Sequence, residues 1–220
     1  MSMEEIRTYV NSLRRASADQ PLDENAVSSN PYDQFAKWFE EAVNAQILDP
    51  FAMVIATVSE IGFPSCRTVY MRDISEEGIV FYTNYNSQKG KEITNNAMVS
   101  MLFLWVELDR QIRIFGRAER VSQKQSDEYF ASRPRESQIG SWASDQSEVI
   151  ENRQVLKDKF SYYEEKFKDL NVPRPENWGG FLTRPEKFEF WQGRPNRLHD
   201  RIVYLKDQES GQWNIQRLSP

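Results

Sequence analysis

The sequence predicts an α+β domain that is mainly β, with antiparallel strands flanked by helices. Residues 52–121 contain five short apolar or β-branched segments that follow one another at close spacing and are joined by turns. Helical periodicity is strongest on the two sides of this region, at residues 31–43 and 123–170. A doubly wound parallel sheet would need a helix between each pair of strands, so the pattern favours an antiparallel barrel or sandwich.

Two helices and a polar connection are expected before the first strand. Residues 3–13 suit a short helix, whereas residues 16–29 are rich in Ser, Asp and Asn. We therefore expect residues 1–29 to be a mobile segment and residues 30–220 to be the folded domain. Asn30 and Pro31 are typical of a helix start. The apolar face expected for that helix comprises Phe35, Trp38, Phe39, Ala42 and Val43.

The remaining elements follow from alternation, periodicity and turn residues. Five strands are predicted at residues 52–58, 64–72, 78–83, 97–106 and 111–121. Helices are predicted at 123–132, from Pro134 onward, and at 151–170. Three closing strands are predicted near residues 181–191, 198–205 and 213–218.

Composition excludes several classes of protein. The net charge of −5 argues against general nucleic-acid affinity, so any basic ligand site must be local. Cys66 is the only cysteine, which rules out an intrachain disulfide and suits a reducing compartment. The start of the chain lacks the apolar run of a secretory signal, and no stretch approaches the ~20 apolar residues of a membrane span. A soluble, cytoplasmic protein without a metal site is expected.

The segment FEFWQGRPNRLHDR, at residues 188–201, is the main candidate for chemistry. After a turn near Gly193, Arg197, His199 and Arg201 recur at every second position, which would place them on one face of a strand. Two guanidiniums beside the only histidine and near a tryptophan suit an anionic, planar ligand. On spacing alone, an ordinary solvent-exposed strand face is an equally good interpretation.

Three further basic groups are candidate phosphate sites. Arg67 and Arg72 differ by an odd number, so a regular strand would direct them to opposite sides. Ser87 could cap a helix that carries Lys89, and a helix start of this kind suits a phosphate. The third group consists of Tyr129, Arg133 and Ser137, which Pro134 interrupts. Each group could instead be ordinary surface.

The glycines exclude one binding mode. No G-x-G-x-x-G sequence and no Walker A loop is present, which makes a dinucleotide bound in the Rossmann manner improbable. A mononucleotide remains possible.

Several long motifs resemble the pyridoxamine 5'-phosphate oxidase family. Besides FEFWQGRPNRLHDR, they are NPYDQFAKWF, FYTNYNSQKG, DRQIRIFGRAERV, ASRPRESQIGSWASDQS, NWGGF and the closing RLSP. The resemblance runs from Asn30 to Pro220. It implies a split β-barrel and a homodimer that holds two FMN molecules in clefts between the subunits.

The resemblance also implies residue roles. Arg67 and Lys89 would hold the FMN phosphate, assisted by Gln146 and Ser147 of the other subunit. The rest of the FMN set would be Thr68, Val69, Tyr70, Met71, Arg72, Tyr82, Thr83, Gln88, Gln111, Trp191 and Arg201. The substrate set would be Arg14, Arg72, Tyr129, Arg133, Ser137, Arg197 and His199, of which Arg197 and His199 would be catalytic.

The chain departs from the family pattern at three positions. Arg72 stands where Lys is common, Gln88 where Arg is common, and Ser17 where a lid tyrosine occurs. The implied reaction oxidises pyridoxamine or pyridoxine 5'-phosphate to pyridoxal 5'-phosphate, with O2 as acceptor giving H2O2. The alternatives are a related split-barrel flavin reductase and a non-catalytic binder of FMN or pyridoxal phosphate.

Overall fold

Alternating burial along the strands builds one antiparallel sheet. In β1, Met53, Ile55 and Thr57 are buried and the residues between them are partly exposed, so one face of the strand meets the core. The computed structural model describes residues 1–12 and 20–220, and its sheet contains nine strands. They are β1 (Ala52–Val58), β2 (Pro64–Tyr70), β3 (Asp73–Ser75), β4 (Gly78–Asn84), β5 (Met98–Trp105), β6 (Arg110–Arg120), β7 (Trp178–Gln192), β8 (Asp200–Lys206) and β9 (Trp213–Leu218).

The helices flank this sheet. At the start of α2, the side chain of Asn30 accepts a hydrogen bond from the backbone N–H of Tyr32, and Pro31 occupies the first turn. The helices are α1 (Met3–Ser12), α2 (Pro31–Asn44), α3 (Gln88–Asn95), α4 (Gln123–Ser132), α5 (Arg135–Ala143) and α6 (Arg153–Lys166). Short 3-10 turns lie at Val106–Leu108 and Pro195–Arg197.

Strand β7 is the branch point of the sheet. The strand order is β2-β1-β5-β6-β7-β4-β3, and β8 and β9 continue from β7 outside this path. One edge of β7 pairs with β6 along most of its length. The other edge pairs first with β4, at residues 178–183, and then with β8, at residues 187–192. The sheet therefore divides at β7 into two curled halves.

A bulge in β7, where Glu186 is the extra residue opposite Phe115 and Gly116, accommodates this curvature. The register between β6 and β7 shifts between Phe115 and Gly116. A Cβ atom at Gly116 would lie 2.1 Å from the backbone oxygen of Arg184, which leaves no room for any other residue.

The apolar face of α2 closes the core. Phe35 contacts Phe103 edge to face at a centroid distance of 5.2 Å, and Trp38 contacts Phe190 in the same way at 5.2 Å. A second, smaller apolar cluster joins α4, α5 and α6 to the beginning of β7. It consists of Phe130, Ile139, Phe167, Val172 and Trp178.

The segment before α2 packs along β8 and β9. The buried side chain of Leu22 lies next to Arg217, whose Nη2 donates to the Leu22 carbonyl at 2.8 Å. Asp200 Oδ2 accepts from the Leu22 N–H at 3.0 Å, and Tyr204 Oη donates to the Ser28 carbonyl at 2.7 Å. The proposed boundary at residue 30 remains a prediction.

Most predicted elements are confirmed, including the antiparallel α+β class and the split barrel. Val43 was wrongly assigned to the apolar face of α2, because it is 51% exposed near the end of the helix. Strand β3 was missed, since three residues are too few to show alternation. Helix α6 is shorter than predicted and begins at Arg153, with Asn152 as its cap.

Among the residues that the structure describes, no helix combines the length and apolarity needed to cross a membrane.

Replacing Phe35 by Ala should lower the free energy of unfolding by about 3–5 kcal/mol, because a fully buried ring leaves a cavity between α2 and the sheet. Val43→Ala on the same helix should change it by less than roughly 0.5 kcal/mol. Urea denaturation of both variants at one protein concentration checks this. Equal losses would contradict the assignment of the buried face.

Candidate functional site

A polar cleft of about 660 Å³ lies at the N-terminal end of α3. Its walls come from β2, β4, the junction of α4 and α5, and the loop after α5. A volume of this size suits a small-molecule ligand. The lining residues are Ser65, Cys66, Arg67, Thr68, Val69, Tyr70, Arg72, Tyr82, Thr83, Gln88, Lys89, Tyr129, Arg133, Gln146, Ser147 and Trp178.

The start of α3 provides one anion-binding element. Ser87 caps the helix and accepts from the backbone N–H of Gly90. A Cβ at Gly90 would lie 2.2 Å from the Tyr85 carbonyl oxygen, so glycine permits this close approach. Lys89 Nζ is buried and lies 3.2 Å from Thr83 Oγ1 and 3.4 Å from Gln146 Oε1.

The protonation of Lys89 depends on its surroundings and on any anion bound beside it. Burial, and after it the charge of Arg67, lower the pKa of Lys89 to about 8, although Glu92 opposes this shift. A phosphate bound beside the ammonium would favour its charged form.

Arg67 is held by a network that ends on a buried carboxylate. Its Nη2 donates to Glu92 Oε2 at 3.2 Å and to Ser65 Oγ at 2.8 Å. Its Nη1 donates to Thr57 Oγ1 and, at 3.4 Å, to the Ile55 carbonyl. Burial raises the pKa of Glu92, but the hydrogen bonds that its carboxylate accepts outweigh this effect and keep the pKa below its usual value.

Stacked aromatic rings and two further arginines line the cleft. The rings of Tyr82 and Tyr129 are 3.8 Å apart and nearly parallel, and Trp178 continues the stack. The guanidinium of Arg133 lies 4.4 Å from the centre of the Trp178 ring and donates to Ser141 Oγ at 2.7 Å. Burial lowers the pKa of Arg133 and raises that of Tyr82 to about 12.

Arg72 lies over neighbouring rings as well. Its guanidinium is 5.0 Å from the centre of the Tyr70 ring and 5.5 Å from that of Phe51. Ser137 lines a recess of about 410 Å³ that adjoins the cleft and shares Arg133 with it.

A second cluster of predicted site residues lies outside this cleft. The register of β6, β7 and β8 places Gln111, Trp191 and Arg201 side by side. The buried carboxylate of Glu189 accepts from Nε and Nη2 of Arg201 at 3.0 and 2.9 Å, and from Arg113 at 3.3 Å. The side chain of Arg201, on β8, is thereby held against Glu189 of the neighbouring strand β7.

His199 belongs to this second cluster. Its ring lies 4.6 Å from that of Trp191, and its Nδ1 accepts from the backbone N–H of Arg194 at 3.1 Å. In the neutral imidazole the proton must then be on Nε2, which leaves Nε2 as a donor.

Four expectations about these residues are corrected. Arg197 and His199 do not share a strand face with Arg201, because β8 begins at Asp200 and Arg197, with φ of 62°, lies in a 3-10 turn. Arg67 and Arg72 line one cleft, since β2 ends at Tyr70 and the alternation ends with it.

The other two corrections concern the FMN set. Gln146 and Ser147 were expected from the other subunit, but both line the cleft of their own chain, where Gln146 contacts Lys89. Met71 does not line the cleft, because its side chain packs in the main core. Arg14 and Ser17 lie outside the described residues.

Sequence reasoning missed the carboxylates that hold the arginines. Thr57 occupies the third buried position of β1, and a hydroxyl at a core position signals a buried partner. Glu189 lies between Phe188 and Phe190, and a carboxylate between two aromatic core residues likewise indicates a buried partner. Glu92 lies on a short polar helix, where no pattern distinguishes it from a solvated residue.

Comparison with known proteins identifies the family. Residues 39–167 match the family described as pyridoxamine 5'-phosphate oxidase. The chain belongs to this family. It is an oxidoreductase, and the family is FMN-dependent. Residues 178–220 match a second description, the pyridoxine 5'-phosphate oxidase C-terminal dimerisation region.

Individual relatives agree over nearly the whole chain. A pyridoxine/pyridoxamine 5'-phosphate oxidase of Gloeothece citriformis is 51% identical over 94% of this chain and 97% of its own. A pyridoxine/pyridoxamine 5'-phosphate oxidase of Burkholderia thailandensis is 47% identical over 97% of this chain and 100% of its own. The solved structure of PhzG from Burkholderia lata, in complex with tetrahydrophenazine-1-carboxylic acid, has a TM-score of 0.86, 29% identity and coverage of 93% and 100%.

The residues present fit a phosphorylated flavin. Arg67, Lys89 and the start of α3 provide cationic and N–H donors for a phosphate at one place in the cleft. Tyr82 presents an aromatic ring beside them, against which a planar ring system can pack.

FMN affinity should fall as pH rises from 7 to 9, by up to about tenfold per pH unit, because Lys89 loses its proton near pH 8 and the neutral amine cannot pair with phosphate. Fluorescence titration of the apoprotein with FMN at several pH values measures this. Lys89→Arg stays protonated and should flatten the profile. An unchanged pH dependence in that variant would show that another group titrates.

Proposed function

We propose that the chain catalyses FMN-dependent oxidation of pyridoxamine 5'-phosphate or pyridoxine 5'-phosphate to pyridoxal 5'-phosphate, with O2 as electron acceptor. Hydrogen peroxide is the second product, and the amine substrate also consumes water and releases ammonia. The names of the relatives support this substrate class.

The observation that supports the proposal is that two sets of side chains able to donate to a phosphate line one cleft. Arg67 and Lys89 form the first set. Arg72, Tyr129 and Arg133 form the second, with Ser137 in the adjoining recess. A phosphorylated cofactor and a phosphorylated substrate each require such donors, and a single mononucleotide would need only one set.

The second cluster completes the proposed site from another copy of the chain. Trp191, Arg197, His199 and Arg201 do not line the cleft, but they lie within the region that matches the dimerisation description. We therefore place the active site between the subunits of a homodimer, with the cleft from one copy and this cluster from its partner.

The proposed roles follow from the chemistry of these side chains. FMN, when bound, supplies the two-electron chemistry. Arg197 clamps the pyridine ring of the substrate, and Nε2 of His199 donates to its phenolic oxygen. The two phosphate sets fix the distance between substrate and cofactor. Arg14 is assigned to the substrate by family resemblance alone.

Anaerobic mixing with pyridoxine 5'-phosphate tests the function directly. The FMN-loaded protein should lose its oxidised-flavin absorbance in a single turnover and recover it when oxygen is admitted, with one equivalent of pyridoxal 5'-phosphate formed. An unchanged spectrum would favour a non-catalytic binder. Bleaching by a reduced nicotinamide but not by the substrate would favour a flavin reductase.

Mixed dimers test the composite site. Lys89→Ala should be nearly inactive at low FMN, since it removes an ionic contact to the cofactor phosphate. Arg197→Ala should be nearly inactive because it removes the clamp on the substrate ring. When the two variants are unfolded together and refolded at equal amounts, half of the dimers are mixed and carry one intact site of two. We expect about a quarter of the parental activity. If no activity is recovered, Lys89 and Arg197 of each active site come from the same subunit.

A further inference from the structure

The carboxylate of Glu92 lies behind Arg67 as seen from the cleft. Arg67, Ser65 and Lys89 line the cleft, whereas Thr57 and Glu92 do not. Both of these residues are buried, with Thr57 at 0% and Glu92 at 6% exposure. Glu92 instead lines a separate surface recess beside α3, together with Gln88. The negative charge therefore contacts the guanidinium from outside the cleft and leaves the cleft side to a ligand.

Two hydroxyl groups bridge Arg67 to this carboxylate. Thr57 Oγ1 and Ser65 Oγ each accept from Arg67 and donate to Glu92 Oε2, the latter at 2.8 Å. Together with the direct ion pair at 3.2 Å, they close a network around one edge of the guanidinium. A planar, rigid donor held in this way has one orientation before any ligand binds.

Gln88 completes the network from the helix. Its Nε2 donates at 2.9 Å to the other carboxylate oxygen, Glu92 Oε1. Gln88 brings no charge, so within the described part of the chain Arg67 is the one cation that forms an ion pair with Glu92.

We propose that Glu92 is a positioning residue that orients Arg67 for the phosphate of FMN. This rests on the proposed function, which assigns the cofactor phosphate to Arg67 and Lys89. Glu92 does not touch the cofactor; it acts through Arg67.

Glu92→Gln separates two effects of Glu92 on FMN binding: the orientation of Arg67 and the Coulomb repulsion between the carboxylate and the phosphate. The substitution removes a negative charge near an anion site, so Coulomb attraction alone would tighten FMN binding. It also leaves the side chain with one acceptor oxygen instead of two and removes the ion pair with Arg67, which loosens the hold on the guanidinium. We expect the second effect to win and the Kd for FMN to rise about tenfold.

The experiment is a fluorescence titration of refolded apoprotein with FMN and with riboflavin, which lacks the phosphate. For Glu92→Gln, the Kd for FMN should rise about tenfold while that for riboflavin stays within about twofold. Glu148→Gln is the matched control. It removes the same charge from an exposed carboxylate that pairs with Lys91, and it should change neither constant by more than about twofold.

A double variant tests whether Glu92 acts through Arg67. Arg67→Ala with Glu92→Gln should bind FMN no more weakly than Arg67→Ala alone. Ser65→Ala, which removes one bridge, should reproduce part of the loss even where Glu92→Gln folds poorly. Unchanged or tighter FMN binding in Glu92→Gln, an equal loss of riboflavin binding, or additive losses in the double variant would overturn the proposal.

The outcome is separable from that of the proposed function. If Arg67→Ala binds FMN as tightly as the parent, the phosphate assignment fails, and the role of Glu92 fails with it. If the parent binds FMN but does not bleach with pyridoxine 5'-phosphate, the proposed reaction fails while the Glu92 result stands.

Discussion

The pairing of a single strand edge with two successive partners determines where the functional residues lie. The edge of β7 that faces away from β6 pairs with β4 along its first part and with β8 along its last part. The cleft residues Tyr82 and Thr83 belong to β4, and Arg201 belongs to β8. The branch therefore separates the two groups within one chain. The proposed site uses both groups and therefore draws on a second copy, which agrees with the match of residues 178–220 to a dimerisation region.

Both groups use the same electrostatic arrangement. Arg67 in the cleft and Arg201 in the second cluster each contact a carboxylate that is almost completely buried, Glu92 in one case and Glu189 in the other. A buried ion pair contributes little net stability, because removing both charges from water costs about as much as their attraction returns. Its value here is orientation. Each guanidinium is held in one direction.

Sequence reasoning predicted the fold well where a regular element continued and failed where one stopped. Alternation located β1, and the cap residues Asn30 and Pro31 located the start of α2. The prediction of strand faces from odd or even spacing was wrong for Arg72, because Arg72 follows the end of β2. It was also wrong for Arg197, because a left-handed backbone conformation does not belong to a strand. Most of the cleft could be named from motifs, but the network behind Arg67 could not, because its members are far apart in sequence and only the folded sheet brings them together.

The long strand at the branch also sets an order of events during folding. β4 and β6 precede the helices α4, α5 and α6, yet both take β7 as a neighbour, and β7 begins only at Trp178. Until β7 has been synthesised, each of these strands presents an unpaired edge, which is the kind of surface that recruits other chains. Pairings between strands so far apart in sequence form slowly. A ribosome-bound chain that has reached residue 170 thus contains nearly every side chain of the cleft and still lacks the strand that closes its sheet.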